Sequence, residues 1–242
     1  MHFNHVLPHH FWNFFQLWRS VLLETDHVKI ILLGGRWAGK SSSGNTILNK
    51  EVFGIGEQTE VCVMEKSKIA GMHVTVVDTP SWNWVPAEAS SDELKQELKR
   101  SVEMLGEGPH AFLLVYPLGA AFLKRHKIAV EEHLELLGAD VWNHTMVLFS
   151  RGDWLGEVTI EQHIEGAKAE FKWLLDQCKN RYHVLNNKVK TDEMQVIELL
   201  EKLQRMIRGK RKSSRVEPPL MAGETPATAE YGEPSGTPKK LK

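Results

Sequence analysis

The chain has 242 residues, of which 42% are hydrophobic and 25% charged, values typical of one large globular domain with terminal extensions. Its formal net charge of −1 gives no overall field that attracts nucleic acid, so no nucleic-acid partner is expected. No apolar run is long enough to span a bilayer, and we therefore expect no transmembrane segment. The two cysteines, Cys62 and Cys178, are far apart, which is typical of reduced thiols in a cytoplasmic protein.

Both ends of the chain differ from its middle. Residues 1–26 form an aromatic-rich N-terminal leader, which either packs on the domain or forms an amphipathic segment that contacts a partner or a membrane surface. Residues 209–242 are rich in proline, glycine, serine and charge, which predicts a disordered tail. The basic start of this tail suits either a helix C-terminus or peripheral contact with acidic lipids. The predicted domain is therefore residues 27–208.

Within this domain, apolar runs alternate with amphipathic segments. The predicted strands, in chain order, are HVKIILLGG, HVTVVDTP, HAFLLVYPL, HTMVLFS and RYHVLNN. The predicted helices are a segment beginning at Lys40, then SSDELKQELKRSVEMLG, KRHKIAVEEHLELLG, TIEQHIEGAKAEFKWLLDQC and DEMQVIELLEKLQRMI. This alternation predicts an α/β fold, with a mostly parallel sheet covered by helices on both faces. In such sheets a ligand binds beyond the carboxyl ends of the strands.

The segment GGRWAGKSSS contains the pattern G-x-x-x-x-G-K-[ST] between a predicted strand and a predicted helix. Backbone N–H groups and the helix N-terminus of such a loop attract phosphate, and its lysine reaches the β- and γ-phosphates. The candidate nucleotide-binding residues here are Gly34, Gly35, Arg36, Trp37, Ala38, Gly39, Lys40, Ser41 and Ser42.

Three oxygen-bearing side chains are candidates for binding Mg²⁺. Ser41 follows the lysine, and Asp78 closes a predicted strand, as the metal-binding serine and aspartate do in P-loop proteins. Thr59 lies in the loop between them and is either a third Mg²⁺ ligand, ordered by the γ-phosphate, or an ordinary loop residue.

The segment VLFSRGDWL is predicted to select the base. The carboxylate of Asp153 can accept hydrogen bonds from N1–H and the exocyclic amine of guanine, whereas adenine lacks donors in that arrangement. Arg151 stands where guanine-binding proteins usually place a lysine along the base. Asn186 is predicted to approach the guanine edge, and Asn187 is the weaker candidate.

The order of these motifs resembles the immune-associated nucleotide-binding GTPases, the GIMAP or IAN group, near the septin and translocon GTPases. The resemblance covers roughly residues 27–208 and extends to vertebrate, including fish, members. It implies a Ras-like P-loop GTPase domain that binds GTP or GDP with Mg²⁺. It also implies nucleotide-dependent self-association through the switch surface, and a role on vesicle or organelle surfaces in immune-type cells.

Three positions depart from the family pattern. Trp37 replaces a usual glycine, which costs of order 1 kcal/mol if the backbone there is left-handed. Ser81 replaces the glycine of D-x-x-G, and Trp82 stands where small GTPases have a water-positioning glutamine. Trp82 and Trp84 either form an exposed patch or pack against the adjacent helix.

These departures leave two principal interpretations of function. One is a guanine-nucleotide switch that hydrolyses GTP slowly, and no catalytic side chain is assigned to it. The other is a non-hydrolysing G-domain that acts as an interaction or oligomerisation module. An ATP-using enzyme is a third interpretation, but no acceptor site or lid arginines can be located for it.

Overall fold

The computed structural model describes residues 26–189 and 192–214, without the side chains of residues 210–214. The predicted leader and most of the predicted tail lie outside these residues. The described chain forms a six-stranded sheet in the order β2-β3-β1-β4-β5-β6, in which only β2 is antiparallel to its neighbour. The strands are β1 His27–Leu33, β2 Val63–Ile69, β3 Met72–Asp78, β4 Ala111–Pro117, β5 Thr145–Ser150 and β6 Tyr182–Val184.

Helices cover both faces of the sheet. They are α1 Lys40–Leu48, α2 Asp92–Glu103, α3 Lys124–Glu135, α4 Ile160–Glu165, α5 Ala169–Gln177 and α6 Glu193–Ser214. One buried cluster joins the sheet to α2, α3 and α5, and a second joins the opposite face to α1 and α6. The predicted Ras-like α/β fold is confirmed.

Strand β1 shows how the sequence divides between the two cores. Ile31 and Leu33 belong to the first cluster, whereas Val28, Ile30 and Leu32 belong to the second, because successive side chains of a strand point to opposite faces. A strand buried on both sides needs apolar residues at nearly every position, and VKIILL supplies them.

Three features differ from the predicted elements. Strand β2 was not predicted, because it lies at the sheet edge and its half-polar sequence VMEKSKI gives little hydrophobic signal. The helix predicted from residue 159 to 178 is two helices, and the first has its C-cap at Gly166. The last helix continues through Gly209 to Ser214, so the boundary placed at residue 208 lies inside a helix.

The parallel register places the functional loops together. Leu32 of β1 is opposite Asp78 of β3, and Pro117 of β4 is opposite Ser150 of β5. The carboxyl ends of these strands therefore lie together at one end of the sheet. The segments that follow β1, β3, β5 and β6 all begin at this carboxyl end of the sheet. Among the described residues, no helix combines the length and apolar character needed to cross a membrane.

Candidate functional site

The glycine-rich loop joins β1 directly to α1. Gly39 caps α1 with a φ of 91°, and a Cβ at this position would lie 3.1 Å from the Ser150 hydroxyl oxygen. Both constraints favour glycine. The Ser150 hydroxyl donates to the Ala38 carbonyl at 2.6 Å, which fixes the loop against the end of β5.

Trp37 does not obstruct this loop. Its φ is 65°, in the left-handed region where a bulky residue costs about 1–2 kcal/mol. Its ring is 65% exposed and lies beneath the Arg36 guanidinium, 5.3 Å from the ring centroid. The tryptophan therefore projects away from the loop backbone and strains the loop without filling it.

Lys40 is the buried cation of the site. Its ammonium donates to the Ser81 hydroxyl at 2.5 Å and to the Gly34 carbonyl at 3.4 Å. Burial lowers the pKa of Lys40 to about 8, and the nearby Asp78 carboxylate opposes part of this shift. An anion that enters the site would stabilise the ammonium and raise this pKa.

Two of the three predicted metal ligands, Ser41 and Thr59, form hydrogen bonds to the third, the carboxylate of Asp78. Asp78 Oδ2 accepts hydrogen bonds from the Ser41 hydroxyl at 2.7 Å and the Thr59 hydroxyl at 3.2 Å. Asp78 Oδ1 is buried and has no hydrogen-bond partner among the described residues, and burial raises the pKa of this carboxyl. A buried, unpartnered carboxylate oxygen beside two hydroxyls fits Mg²⁺, which prefers oxygen ligands.

Most of the predicted residues meet at one cavity of about 460 Å³ beyond the strand ends. Its wall includes ten of the predicted candidates: Trp37, Ala38, Gly39, Lys40, Ser41, Ser42, Thr59, Ser81, Arg151 and Asp153. Four others lie next to this wall. Gly34 accepts from Lys40, Gly35 and Arg36 contact the segment after β3, and Asp78 borders an adjoining cavity that also contains Thr59.

The far end of the cavity carries the predicted base-selecting side chains. Asp153 Oδ2 accepts a hydrogen bond from the Lys188 ammonium at 2.5 Å, and the Lys188 side chain is 74% exposed. The Arg151 guanidinium lies 4.9 Å from the centroid of the exposed Trp154 ring. Exposed ion pairs contribute little free energy, so a ligand can displace Lys188 from Asp153 at small cost.

The structure places Asn187, rather than Asn186, at the cavity wall. The Asn187 amide donates to the Ser43 hydroxyl at 3.2 Å, and its carbonyl accepts from Thr46, so it joins the β6 loop to α1. The Asn186 backbone N–H and carbonyl both bond to the Gln195 side chain, and the Asn186 side chain accepts from Lys188 N–H. Contact between Asn186 and a base stays a prediction.

Asn187 was the weaker of the two asparagine candidates, and sequence reasoning did not assign several other wall residues. These are Ile55, Gly56, Glu57, Ser150, Trp154 and Lys188. Ile55, Gly56 and Glu57 belong to the same loop as Thr59, and Lys188 follows the two asparagines, so proximity in sequence was the available signal. That Lys188 pairs with Asp153 depends on tertiary structure and has no signal in the sequence.

The segment after β3 is docked on the glycine-rich loop. Arg36 N–H donates to the Trp82 carbonyl at 2.8 Å, and Gly35 forms a β-bridge with Trp82. The Trp84 ring covers Gly35, since a Cβ there would lie 2.1 Å from it. Trp82 is fully buried and stacks on His133 with ring centroids 4.8 Å apart. Of the two alternatives for these tryptophans, packing is therefore correct.

A glycine-rich loop with a buried lysine, between a strand and a helix of a mostly parallel sheet, defines a P-loop protein with a Ras-like fold. Sequence comparison gives the particular family. The chain belongs to the AIG1 family, whose model matches residues 28–218. This result confirms the family resemblance inferred from the motifs.

The relatives carry related names. The rat protein "GTPase IMAP family member 8" is 32% identical over 186 residues, which are 74% of this chain and 26% of that protein. The Arabidopsis thaliana "Immune-associated nucleotide-binding protein 5" is 32% identical over 177 residues, which are 72% of this chain and 58% of that protein. The chain thus spans about a quarter to somewhat over half of these relatives.

Solved structures show the same fold. A dimerization-deficient mutant of Toc33 from Arabidopsis thaliana superimposes with a TM-score of 0.61 at 17% identity, covering 82% of this chain and 91% of that one. Toc33 in complex with GDP and Mg²⁺ gives a TM-score of 0.59 at 14% identity, covering 83% and 91%. At these identities the likeness concerns the fold alone.

Proposed function

We propose that the chain binds GTP and GDP with Mg²⁺ in the cavity at the strand ends. One observation carries this proposal: a single cavity brings together the buried Lys40 ammonium, the Ser41 and Thr59 hydroxyls that bond to Asp78, and the Asp153 carboxylate. A nucleotide presents its phosphates, with the metal bound to their oxygens, at one end and its base at the other. Relatives that are named as GTPases, and a Toc33 structure that contains GDP and Mg²⁺, support it.

Each end of the cavity has its own role in this proposal. Lys40 and the N-terminus of α1 hold the phosphates, because both present positive charge to an anion. Ser41, Thr59 and Asp78 hold Mg²⁺, which supplies further charge to neutralise the phosphates. At the other end, Asp153 exchanges the Lys188 ammonium for the two donors of guanine. Adenine would leave this carboxylate without those donors, so ATP is excluded.

We further propose that GTP hydrolysis is slow. The position after Ser81 holds Trp82, whose ring is buried against His133 and cannot orient a water molecule at the phosphates. The docking of Trp82 and Trp84 on the loop also favours a second candidate, a non-hydrolysing interaction module. The two differ only in turnover, and both retain the guanine site.

Self-association is part of both candidates. One solved neighbour carries the description "Dimerization is important for the GTPase activity of chloroplast translocon components atToc33 and psToc159", which supports self-association in this fold. Trp37 and Trp154 offer exposed rings at the cavity mouth for such a contact. Immune signalling, a cytoplasmic location and peripheral organelle contact through the basic tail remain predictions, and most of that tail lies outside the described residues.

The test is a titration of nucleotide-stripped protein with fluorescent GDP, a non-hydrolysable GTP analogue and ATP, each with Mg²⁺ and with EDTA. We expect both guanine nucleotides to bind, ATP to fail as a competitor, and EDTA to weaken binding. Turnover of GTP then separates the slow switch from the interaction module, and light scattering in each nucleotide state tests the self-association that both candidates share. If no guanine nucleotide binds under any of these conditions, the proposed function is wrong.

A further inference from the structure

Ser81 lies directly on the phosphate-binding lysine. Its hydroxyl oxygen is 2.5 Å from Lys40 Nζ and forms part of the cavity wall. An ammonium group has three N–H donors. The Ser81 hydroxyl takes one and the Gly34 carbonyl takes a second, which leaves one donor for a ligand.

The Ser81 backbone is held in this position from both sides. Pro80 precedes it and restricts rotation of the chain. Trp82 follows it, with its ring fully buried against His133 and its carbonyl bound to Arg36 N–H. Moving Ser81 away from Lys40 as a segment would therefore pull Trp82, the largest fully buried side chain among the described residues, out of the core.

We propose that Ser81 makes the cavity prefer a nucleoside diphosphate to a triphosphate. A diphosphate needs one donor from Lys40, for its terminal phosphate, and the free N–H provides it. A triphosphate needs two, for its β- and γ-phosphates, and the second is available only if the Ser81 hydroxyl is displaced. Because hydrogen bonds to charged groups are among the stronger ones, this displacement disfavours the triphosphate. The inference rests on the proposed binding of guanine nucleotides.

The hydroxyl, rather than the backbone, is responsible for this preference. Ser81 is not among the residues with positive φ, so its conformation does not require glycine. Substituting Ser81 by glycine or by alanine removes the competing acceptor in both cases and leaves Lys40 with two free donors. The two variants should therefore behave alike, although only one of them restores the family's usual residue.

The experiment measures equilibrium affinities for fluorescent GDP and a fluorescent non-hydrolysable GTP analogue, with Mg²⁺, in the full chain and its variants. The unsubstituted protein is expected to bind GDP more tightly. Ser81→Gly and Ser81→Ala are each expected to raise the affinity for the analogue relative to GDP by about tenfold. Asn83→Ala, an exposed change two positions along, serves as the control and should leave the ratio unchanged.

The outcomes separate this inference from the proposed function. If guanine nucleotides bind but the ratio is the same in both Ser81 variants, or if the unsubstituted protein prefers the analogue, the role of Ser81 is overturned and the guanine site stands. If neither guanine nucleotide binds to the unsubstituted protein, the proposed function fails and the inference fails with it. Circular dichroism melting checks that each variant is folded. If the glycine variant does not fold, the affinity ratio of the alanine variant decides the test.

Discussion

The two ends of the cavity are built differently. At the phosphate end, Lys40, Asp78 and Trp82 are almost completely buried, and each is bound to a neighbouring segment. At the base end, Trp154 is exposed and the partner of Asp153 is a lysine on the surface. A buried group is fixed by packing, whereas a surface group can rearrange when a ligand arrives. Stability and phosphate recognition therefore depend on the same residues, and base selection is largely separate from stability.

The largest expected effect tests this contrast with two tryptophans. Trp82→Ala should lower the free energy of unfolding by about 3–5 kcal/mol, because it leaves a cavity in the core beside His133. Trp154→Ala, at the base end, should change it by less than about 0.5 kcal/mol. Urea titration of both variants measures the difference. Equal losses of unfolding free energy in the two variants would contradict this prediction, because they would show that both ends of the cavity are equally fixed by packing.

The second prediction concerns specificity at the base end. Asp153→Asn should reduce the preference for guanine over xanthine nucleotides by about a hundredfold, because the amide cannot accept both donors of guanine but can donate to the second carbonyl of xanthine. The free energy of unfolding should hardly change. Competition binding with GDP and XDP measures the effect, and Asp176→Asn, an exposed carboxylate on α5, is the matched control. If the preference for guanine is undiminished in this variant, Asp153 does not select the base.

The third prediction shows where the base end does depend on buried structure. His183 on β6 donates to the Gln195 carbonyl at 2.7 Å, and the Gln195 side chain in turn holds the Asn186 backbone. Burial lowers the pKa of His183 to about 4, from 6.5 in the unfolded chain. Between these pH values the unfolded chain binds a proton that the folded chain does not, so this contribution to stability is complete above pH 6.5 and is lost as the pH falls.

Urea titrations between pH 7 and pH 4 measure this contribution, which we expect to be roughly 3 kcal/mol. His183→Gln keeps a donor for Gln195 and should reduce the slope in that window by this contribution. His73→Gln, at an exposed position near the start of β3, is the matched control. An unchanged slope in the His183 variant would assign the pH dependence to other groups.

The smallest predicted effect concerns the strained residue of the phosphate loop. Trp37→Gly should raise the free energy of unfolding by about 1 kcal/mol, because glycine adopts the left-handed conformation without steric cost. Thermal melting at fixed pH measures the gain. Trp37→Ala keeps a Cβ and is the control, since it removes the ring while retaining most of the strain. A larger gain from alanine than from glycine would assign the effect to the ring.

The sequence predicted the phosphate end better than the base end. The pattern from Gly34 to Ser41 has a fixed backbone geometry, so its residues were identified before the fold was known. Asp78 and Asp153 follow apolar strands, and ligands bind at the ends of such strands. Those signals are local, which is why they can be read from one sequence.

What sequence analysis missed depends on distant parts of the chain. The bond between Lys40 and Ser81 joins residues separated by the whole β2–β3 hairpin, and Asn187 contacts α1 from the other end of the domain. Neither contact produces a fixed spacing or a periodicity in the sequence. The edge strand β2 was not predicted for another reason. Half of its surface faces water, so burial did not impose an apolar pattern on its sequence.

The orientation of Trp37 has an optical consequence. Its indole stands in solvent at the rim of the cavity, whereas Trp82 is enclosed in hydrocarbon and stacked on an imidazole. Indole emission shifts to shorter wavelengths when water is removed from around the ring. A ligand that covers the rim will therefore change the emission of the exposed Trp37 and Trp154 rings and leave the enclosed Trp82 ring as an internal reference. Tryptophan emission can therefore report whether the cavity is occupied, and a Trp37→Phe variant identifies which part of the signal comes from Trp37.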